Sequence, residues 1–279
     1  MQRPVLTGAL AALTFVVSLP ATAQTALDDL MAKKSITIAI TIAIPTDFPH
    51  YGFVGTDLKP QGLDIDMANC IEAKLGVKVE LVPVSSANRI PYLQTKQADL
   101  VISTLGKNAE REKVIDFTAA YSPFFQAVFA AKTLAVKGAS DLAGKSVGVT
   151  RGAIEDMELT KIAPASADVK RFEDNNGTVA AFVSGQVQVQ VQVQVQVQVQ
   201  VQATGASVAG NMMARNPGLN VEYKFVLKDS PNFIGVGKGE DKLRLKVNEI
   251  LATAKAAGDL DNLSLRWPRR CVNCVSTWA

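Results

Sequence analysis

DLVISTLGKNAEREKVIDFTAAY, residues 99–121, sets a buried strand, a polar turn and an arginine side by side. Leu100, Val101 and Ile102 are an apolar run suited to an interior strand. Residues 103–108 then turn through Gly106, and a helix opens over 109–113. Such a turn exposes backbone N–H groups. With Arg111 folded back onto it, turn and guanidinium form a receptor for a carboxylate, because arginine presents a planar, permanently charged fork that matches two oxygens. The alternative is that Arg111 pairs with Glu110, Glu112 or Asp116 on a solvated helix face, where ion pairs are common and weak.

Upstream, ITIAITIAI (36–44) is a β-branched run that makes the first strand. ITIA occurs in it twice, so two registers with the same facing pattern are nearly equivalent. Pro45 ends it, and Phe48, Tyr51 and Phe53 follow at the C-terminal end of the strand, where open α/β sheets bind ligands; Phe48 is the aromatic best placed to stack on one. Residues 62–66 turn into a helix capped by Asp64 or Asp66, with Met67, Ile71 and Leu75 at helical spacing and Gly76 as its stop. A strand over 77–84 and a helix after Asn88 continue the alternation.

Downstream, 124–131 is apolar and extended. A second α/β unit begins at Leu142, with a strand over 146–150, a tight turn at Arg151 and Gly152, and a helix over 153–160. Its first N–H groups, at Ala153 and Ile154, are an anion site. Residues 206–215 are helical, 222–227 a strand and 232–236 extended. A helix over 242–257 turns Leu243, Leu245, Val247, Ile250 and Leu251 inward until Gly258, and a last helix runs to Trp267.

Residues 186–202 are one Gln followed by eight Val-Gln pairs. Fully extended they would span roughly 55 Å, against about 20 Å for an ordinary strand. The segment therefore reads as an expanded repeat disturbing an ordinary strand, with a dedicated β-assembly module as the alternative, since alternation without charge fixes no register.

The chain has 279 residues, 48% of them hydrophobic, enough for one large domain or two lobes. A net charge of +3 from 29 basic and 26 acidic residues is too balanced for a nucleic-acid binder. Arg3, the apolar run 5–19 and Ala21-Thr22-Ala23 form an export signal with cleavage expected before Gln24. Its apolar part is shorter than the ~18–20 residues that span a bilayer. Cys70 reads as a buried hydrophobe, and Cys271 and Cys274 form a CxxC in an exposed tail. With one His, His50, no zinc site is expected.

In this order, PTDFPHYGF (45–53), QGLDIDMAN (61–69), NRIPYLQTKQADLVIS (88–103), NAEREKVIDFTAAY (108–121), DLAGKSVGVTRG (141–152) and AGDLDNLSLRW (257–267) resemble the extracytoplasmic solute-binding proteins of amino-acid ABC transporters, family 3. The resemblance covers most of the mature chain. It implies an α/β, two-lobed type II periplasmic-binding-protein fold with a two-stranded hinge crossing near 124–130 and 232–236. The expected division is a signal peptide at 1–23, lobe 1 at 24–123 and 234–267, lobe 2 at 124–233 including the repeat, and a tail at 268–279.

The same resemblance implies the site. Phe48 would stack on the ligand side chain, Ser103 with the following backbone of Thr104 and Leu105 would meet the carboxylate, and Arg111 would clamp it. Gly152 and Ala153 would reach the ligand from lobe 2, while Arg89 and Arg151 either favour an anionic ligand or are solvated surface residues. Departures from the family pattern are Gly106 and Ala153, each where a Thr is common, and Gly205, where an Asp usually meets the α-amino group. Expected partners are a small amino acid and a membrane ABC permease, with the chain a periplasmic monomer that needs no cofactor or metal. Two other readings stand beside this one: a dehydratase-like enzyme on the same fold, with Asp47, His50 or Glu155 as acid or base, and a repeat-expanded variant with impaired binding.

Overall fold

The computed structural model describes residues 26–40, 48–187 and 199–267. The expected export signal, residues 41–44 of the strand expected over 36–44, most of the repeat and the CxxC lie outside the described residues, as does Asp47.

In chain order the elements are α1 (Ala26–Lys33), β1 (Ser35–Ile40), β2 (Phe53–Val54), β3 (Pro60–Gln61), α2 (Leu63–Leu75), β4 (Lys78–Pro83), α3 (Arg89–Gln94), β5 (Leu100–Leu105), α4 (Ala109–Glu112) and β6 (Ile115–Ser122). There follow β7 (Phe125–Ala131), β8 (Ser146–Thr150), α5 (Ile154–Ile162), β9 (Asp168–Phe172), α6 (Asn175–Val187), β10 (Val201–Gly205), α7 (Ala206–Arg215) and β11 (Val221–Asp229). The chain then returns through β12 (Asn232–Gly237), α8 (Asp241–Ala256) and α9 (Asp259–Arg266).

Two five-stranded sheets organise these elements: β4-β1-β5-β12-β6 and β11-β7-β10-β8-β9. Each has a parallel side built by helical crossovers and an antiparallel side that leads to the other sheet. β5 is the spine of the first; all six of its residues are buried, because it lies between parallel β1 and antiparallel β12 with helices over its faces. The strand runs through Ser103, Thr104 and Leu105, which were expected in the turn, and the turn starts only at Gly106.

The sheets join through short connectors. β6 passes to β7 across Pro123 and Phe124, and β11 to β12 across Ser230 and Pro231. Ser122 pairs with Asn232 on one side and Phe125 with Asp229 on the other, so two antiparallel strands cross together. The segments expected as crossings, 124–130 and 232–236, mostly lie inside the sheets; their apolar character comes from burial there.

The helices follow their sequence signals where packing permits. α2 ends at Gly76, whose φ of 67° is the left-handed conformation that glycine adopts without a Cβ penalty. Leu243, Val247, Ile250 and Leu251 of α8 are buried, but Leu245 is 58% exposed and does not turn inward as expected. Cys70 is half-buried against the lobe 1 core.

The described residues at the two ends of the repeat belong to different elements. Its first two residues, Gln186 and Val187, end α6, and Val201 and Gln202 begin β10. The ordinary strand that the repeat was expected to disturb is thus the five-residue β10, which pairs with both β7 and β8. Gln202 is fully buried there, with neither amide atom hydrogen-bonded.

Candidate functional site

At the mouth between the sheets, the β5–α4 turn of lobe 1 meets the β8–α5 turn of lobe 2. Asn108 caps α4, its Oδ1 accepting from the Arg111 N–H at 2.9 Å. The cap directs Arg111 inward, and the residue is only 3% exposed. Its Nη1 donates to the Gly106 carbonyl at 2.6 Å and its Nη2 to the Gly152 carbonyl at 3.0 Å. One guanidinium thus holds both lobes, and its Nε is buried without a partner. None of the acids weighed as surface partners holds it: Glu110 pairs with Lys113, Glu112 with Lys107 and Asp116 with Lys238.

The turns approach closely where two positions lack side chains. A Cβ on Gly152, where φ is 70°, would lie 2.9 Å from Ala87 Cα, and one on Gly106 would lie 3.1 Å from Ser230 Oγ and 3.4 Å from Ile154 Cβ. A Thr at 106 would crowd this contact. Lys107 N–H also donates to Ser230 Oγ at 3.0 Å. The lobes are therefore in direct contact at this edge.

Arg89 lies beside Arg111 and is equally buried, its Nη1 donating to the Ser103 carbonyl at 2.6 Å and its Nε unpartnered. It is not the solvated residue that the sequence left open. Burial and the like charge of Arg89 push Arg111 down to about 9, so its guanidinium stays charged near neutrality, and burial likewise lowers Arg89 while Glu155 and Asp64 draw it back up. Asp64 supports this edge from α2. It accepts from Tyr121 Oη at 2.6 Å and from Thr104 N–H at 2.9 Å, which holds Thr104 at a φ of 44°. Asp64 was expected as a helix cap, but the cap position is Gly62 and the carboxylate is buried. Burial outweighs those two hydrogen bonds and Arg89 and pushes its pKa up to about 6.

Phe48 is buried in a three-ring cluster, 5.9 Å from Tyr51 and 6.2 Å from Phe124 between centroids. In this arrangement its ring packs on the other two. Ala153 is the N-cap of α5, and its N–H donates back to the Thr150 carbonyl at 3.2 Å, so it is not the free anion donor expected. Arg151 stands apart: its side chain is 54% exposed and pairs with Glu173 at 3.6 Å. The structure thus brings together Arg89, Ser103, Thr104, Leu105, Arg111 and Gly152, with Ala153 beside them and Phe48 in the adjoining ring cluster.

Two further residues belong to this region. Glu155, in the first turn of α5, is 6% exposed; burial raises its pKa, while Arg89 and Arg111 draw it down. The sequence marked it only as a candidate catalytic acid. Gln126 is fully buried with both amide atoms unpartnered, and nothing in its local sequence set it apart. Among the described residues no cluster of metal-ligating side chains occurs, and no helix is long and apolar enough to cross a membrane.

A sequence model of the bacterial extracellular solute-binding proteins, family 3, matches residues 40–269. The ABC transporter glutamine-binding protein GlnH of Bacillus subtilis is 26% identical over 86% of this chain and 84% of its own length. The L-arginine-binding protein of Pseudomonas aeruginosa is 27% identical over 92% and 93%. Among solved structures, an ancestral arginine-binding protein bound to arginine superposes with a TM-score of 0.73 at 30% identity, over 84% of this chain and 98% of that one.

Proposed function

The chain belongs to the bacterial extracellular solute-binding proteins of family 3, and on that premise we propose that it captures a polar L-amino acid between its lobes and delivers it to an ABC permease. One observation carries the reading: Arg111 is buried at the lobe contact, bonded to a carbonyl of each lobe, with an N–H to spare. A ligand carboxylate that takes the fork replaces neutral carbonyl acceptors with a charged one, a stronger hydrogen bond. The guanidinium lies at the lobe contact, and a ligand held there that also touches lobe 2 favours the closed state by that difference.

The second buried guanidinium, Arg89, favours a ligand with another anionic or amide oxygen, which makes L-glutamate, L-aspartate and L-glutamine the first compounds to try. The relatives named for glutamine and arginine support an amino acid as the class. Binding proceeds without turnover in this reading, and product analysis after incubation tests that point.

The test is thermal unfolding of the chain from Gln24 onward against the twenty amino acids and a few dicarboxylates. An amino acid at 100 times its Kd adds about 2.7 kcal/mol of stability. The expected result is a clear rise in Tm with one chemical class. A cooperative transition that no amino acid moves would reject the proposal.

A further inference from the structure

One buried peptide of β5 is held at both ends by side chains of opposite charge. The Ser103 carbonyl accepts from Arg89 Nη1 at 2.6 Å, and the Thr104 N–H donates to Asp64 Oδ2 at 2.9 Å. Those two groups belong to the same peptide unit, and a trans peptide points them in opposite directions. Asp64 of α2 and Arg89 of α3 therefore approach it from opposite sides, a carboxylate on the donor and a guanidinium on the acceptor, each making a charge-assisted bond. All four residues are buried, and the two charges act on each other across the peptide.

The peptide needs to be held. Among the described residues five non-glycine positions have positive φ: Lys34, His50, Leu58, Lys96 and Thr104, the last at 44°. Of these, Thr104 alone is buried and β-branched, the kind of residue for which left-handed backbone is a genuine outlier. It also lies where the strand ladder gives no regular support. β12 pairs Phe233 with Leu105 and Gly235 with Val101, so β5 advances four residues while β12 advances two. Irregularities of this kind re-aim the chain, and the strain they carry persists only where the surroundings impose it.

Asp64 is firmly mounted for that task. The N–H groups of Leu63 and Asp64 donate to the carbonyls of His50 and Tyr51 at 2.8 and 2.9 Å, and Tyr121 Oη donates to the other carboxylate oxygen at 2.6 Å. Two residues beyond Thr104 is Gly106, whose carbonyl receives Arg111. The backbone angle at Thr104 thus sets the direction from which the β5–α4 turn reaches that guanidinium.

We infer that Asp64 is a positioning residue for ligand capture: with Arg89 it clamps the Ser103–Thr104 peptide, which keeps Thr104 left-handed and the β5–α4 turn in its binding geometry. Asp64 acts through Thr104 and not on the ligand. The inference rests on the amino-acid reading above. Without the clamp the left-handed conformer becomes a minor one, and apparent affinity falls with its population. The usual left-handed penalty corresponds to a loss of roughly 5–30-fold. Glycine adopts this backbone without a Cβ penalty, so glycine at position 104 removes the need for the clamp.

The test is a double-mutant cycle read by calorimetric titration of the chain from Gln24 onward with L-glutamate, L-aspartate and L-glutamine. Asp64→Ala should weaken binding roughly 5–30-fold when Thr104 is present. In a Thr104→Gly background the same substitution should cost less than about threefold. Asp64→Asn keeps an acceptor oxygen for the Thr104 N–H and should lose less than Asp64→Ala. Amide exchange without ligand should be slow at Thr104 in the wild type and fast in Asp64→Ala. An equal loss in the two backgrounds would give Asp64 a general structural role and overturn the inference, as would undiminished affinity in a folded Asp64→Ala protein. Should Asp64→Ala fail to fold, Asp64→Thr replaces it in both backgrounds, being close in volume and too short to reach the Thr104 N–H, and the same outcomes decide. A wild type that binds no amino acid rejects the amino-acid reading, and the positioning role with it.

Discussion

Replacing Gln202 by leucine should make this protein more stable, although the substitution removes a residue of its repeat. The side chain is fully buried in β10, and neither its amide nitrogen nor its oxygen has a hydrogen-bond partner. A buried polar group left unsatisfied costs about 1–3 kcal/mol. Two such atoms on one amide set an upper bound near the sum, and local relaxation lowers it. In register Gln202 faces Phe129 on β7, so it shares its sheet face with the core of Phe129, Phe182 and Ala209. Leucine is close to glutamine in volume and would fill the site with apolar contact. We expect a net gain of about 2 kcal/mol, or roughly 4–8 °C in Tm for a domain of 150–250 residues. The assay is thermal unfolding together with urea titration, where the midpoint should rise with the slope unchanged. A Tm at or below that of the wild type would refute the reasoning, because it would mean that the amide is satisfied after all.

Three further outcomes follow from named geometry. Gly152→Ala places a Cβ 2.9 Å from Ala87 Cα on a residue with φ of 70°, which costs about 1–2 kcal/mol in backbone strain alone and more when the lobes meet; amino-acid binding should weaken at least about tenfold, as read by titration. Gly235→Ala brings a Cβ to 2.7 Å from Leu105 Cδ2 and 3.1 Å from Leu93 Cδ1 in lobe 1, and overpacking of this kind lowers stability by about 1–3 kcal/mol in urea unfolding. Asp64 has a folded-state pKa raised to about 6 from 3.8, so the native state binds the extra proton and this group's contribution falls as pH rises through that window. The change amounts to about 3 kcal/mol, and Asp64→Asn should flatten the pH dependence of Tm between about 4 and 6.5.

The legible parts of the fold are those in which local pattern and tertiary role agree. The all-apolar opening of β5 and the spacing of Met67, Ile71 and Leu75 before Gly76 mark elements whose burial is what their sequence requires. β9, DVKRF, carries charges because it is an edge strand with little to bury, so it shows no strand pattern. α6 contains Gly177, Thr178, Val183 and Gly185, poor helix formers, and is held by packing of Phe182 and Val179. Tertiary contact overrides local propensity in both.

The site divides along the same line. Arg111 could be located because its turn, cap and helix are contiguous. Asp64 reads locally as a helix cap; only the fold brings it to Thr104 and Tyr121, 40 and 57 residues away. Arg89 looks like the exposed start of a short helix until β5 covers it. Arg151, in a turn next to Gly152, looks equally well placed, but the left-handed backbone at Gly152 carries the chain inward while the Arg151 side chain leaves toward Glu173.

The central claim is that one arginine at the lobe contact holds an amino-acid carboxylate, and calorimetric titration of the wild type and Arg111→Lys tests it most directly. Lysine keeps the charge and loses the planar fork. The account predicts saturable one-to-one binding of a polar L-amino acid by the wild type and a loss of roughly 10–100-fold in a variant that still unfolds cooperatively. Undiminished affinity in Arg111→Lys, or a well-folded wild type that gives no heat with any of the twenty amino acids, would contradict it.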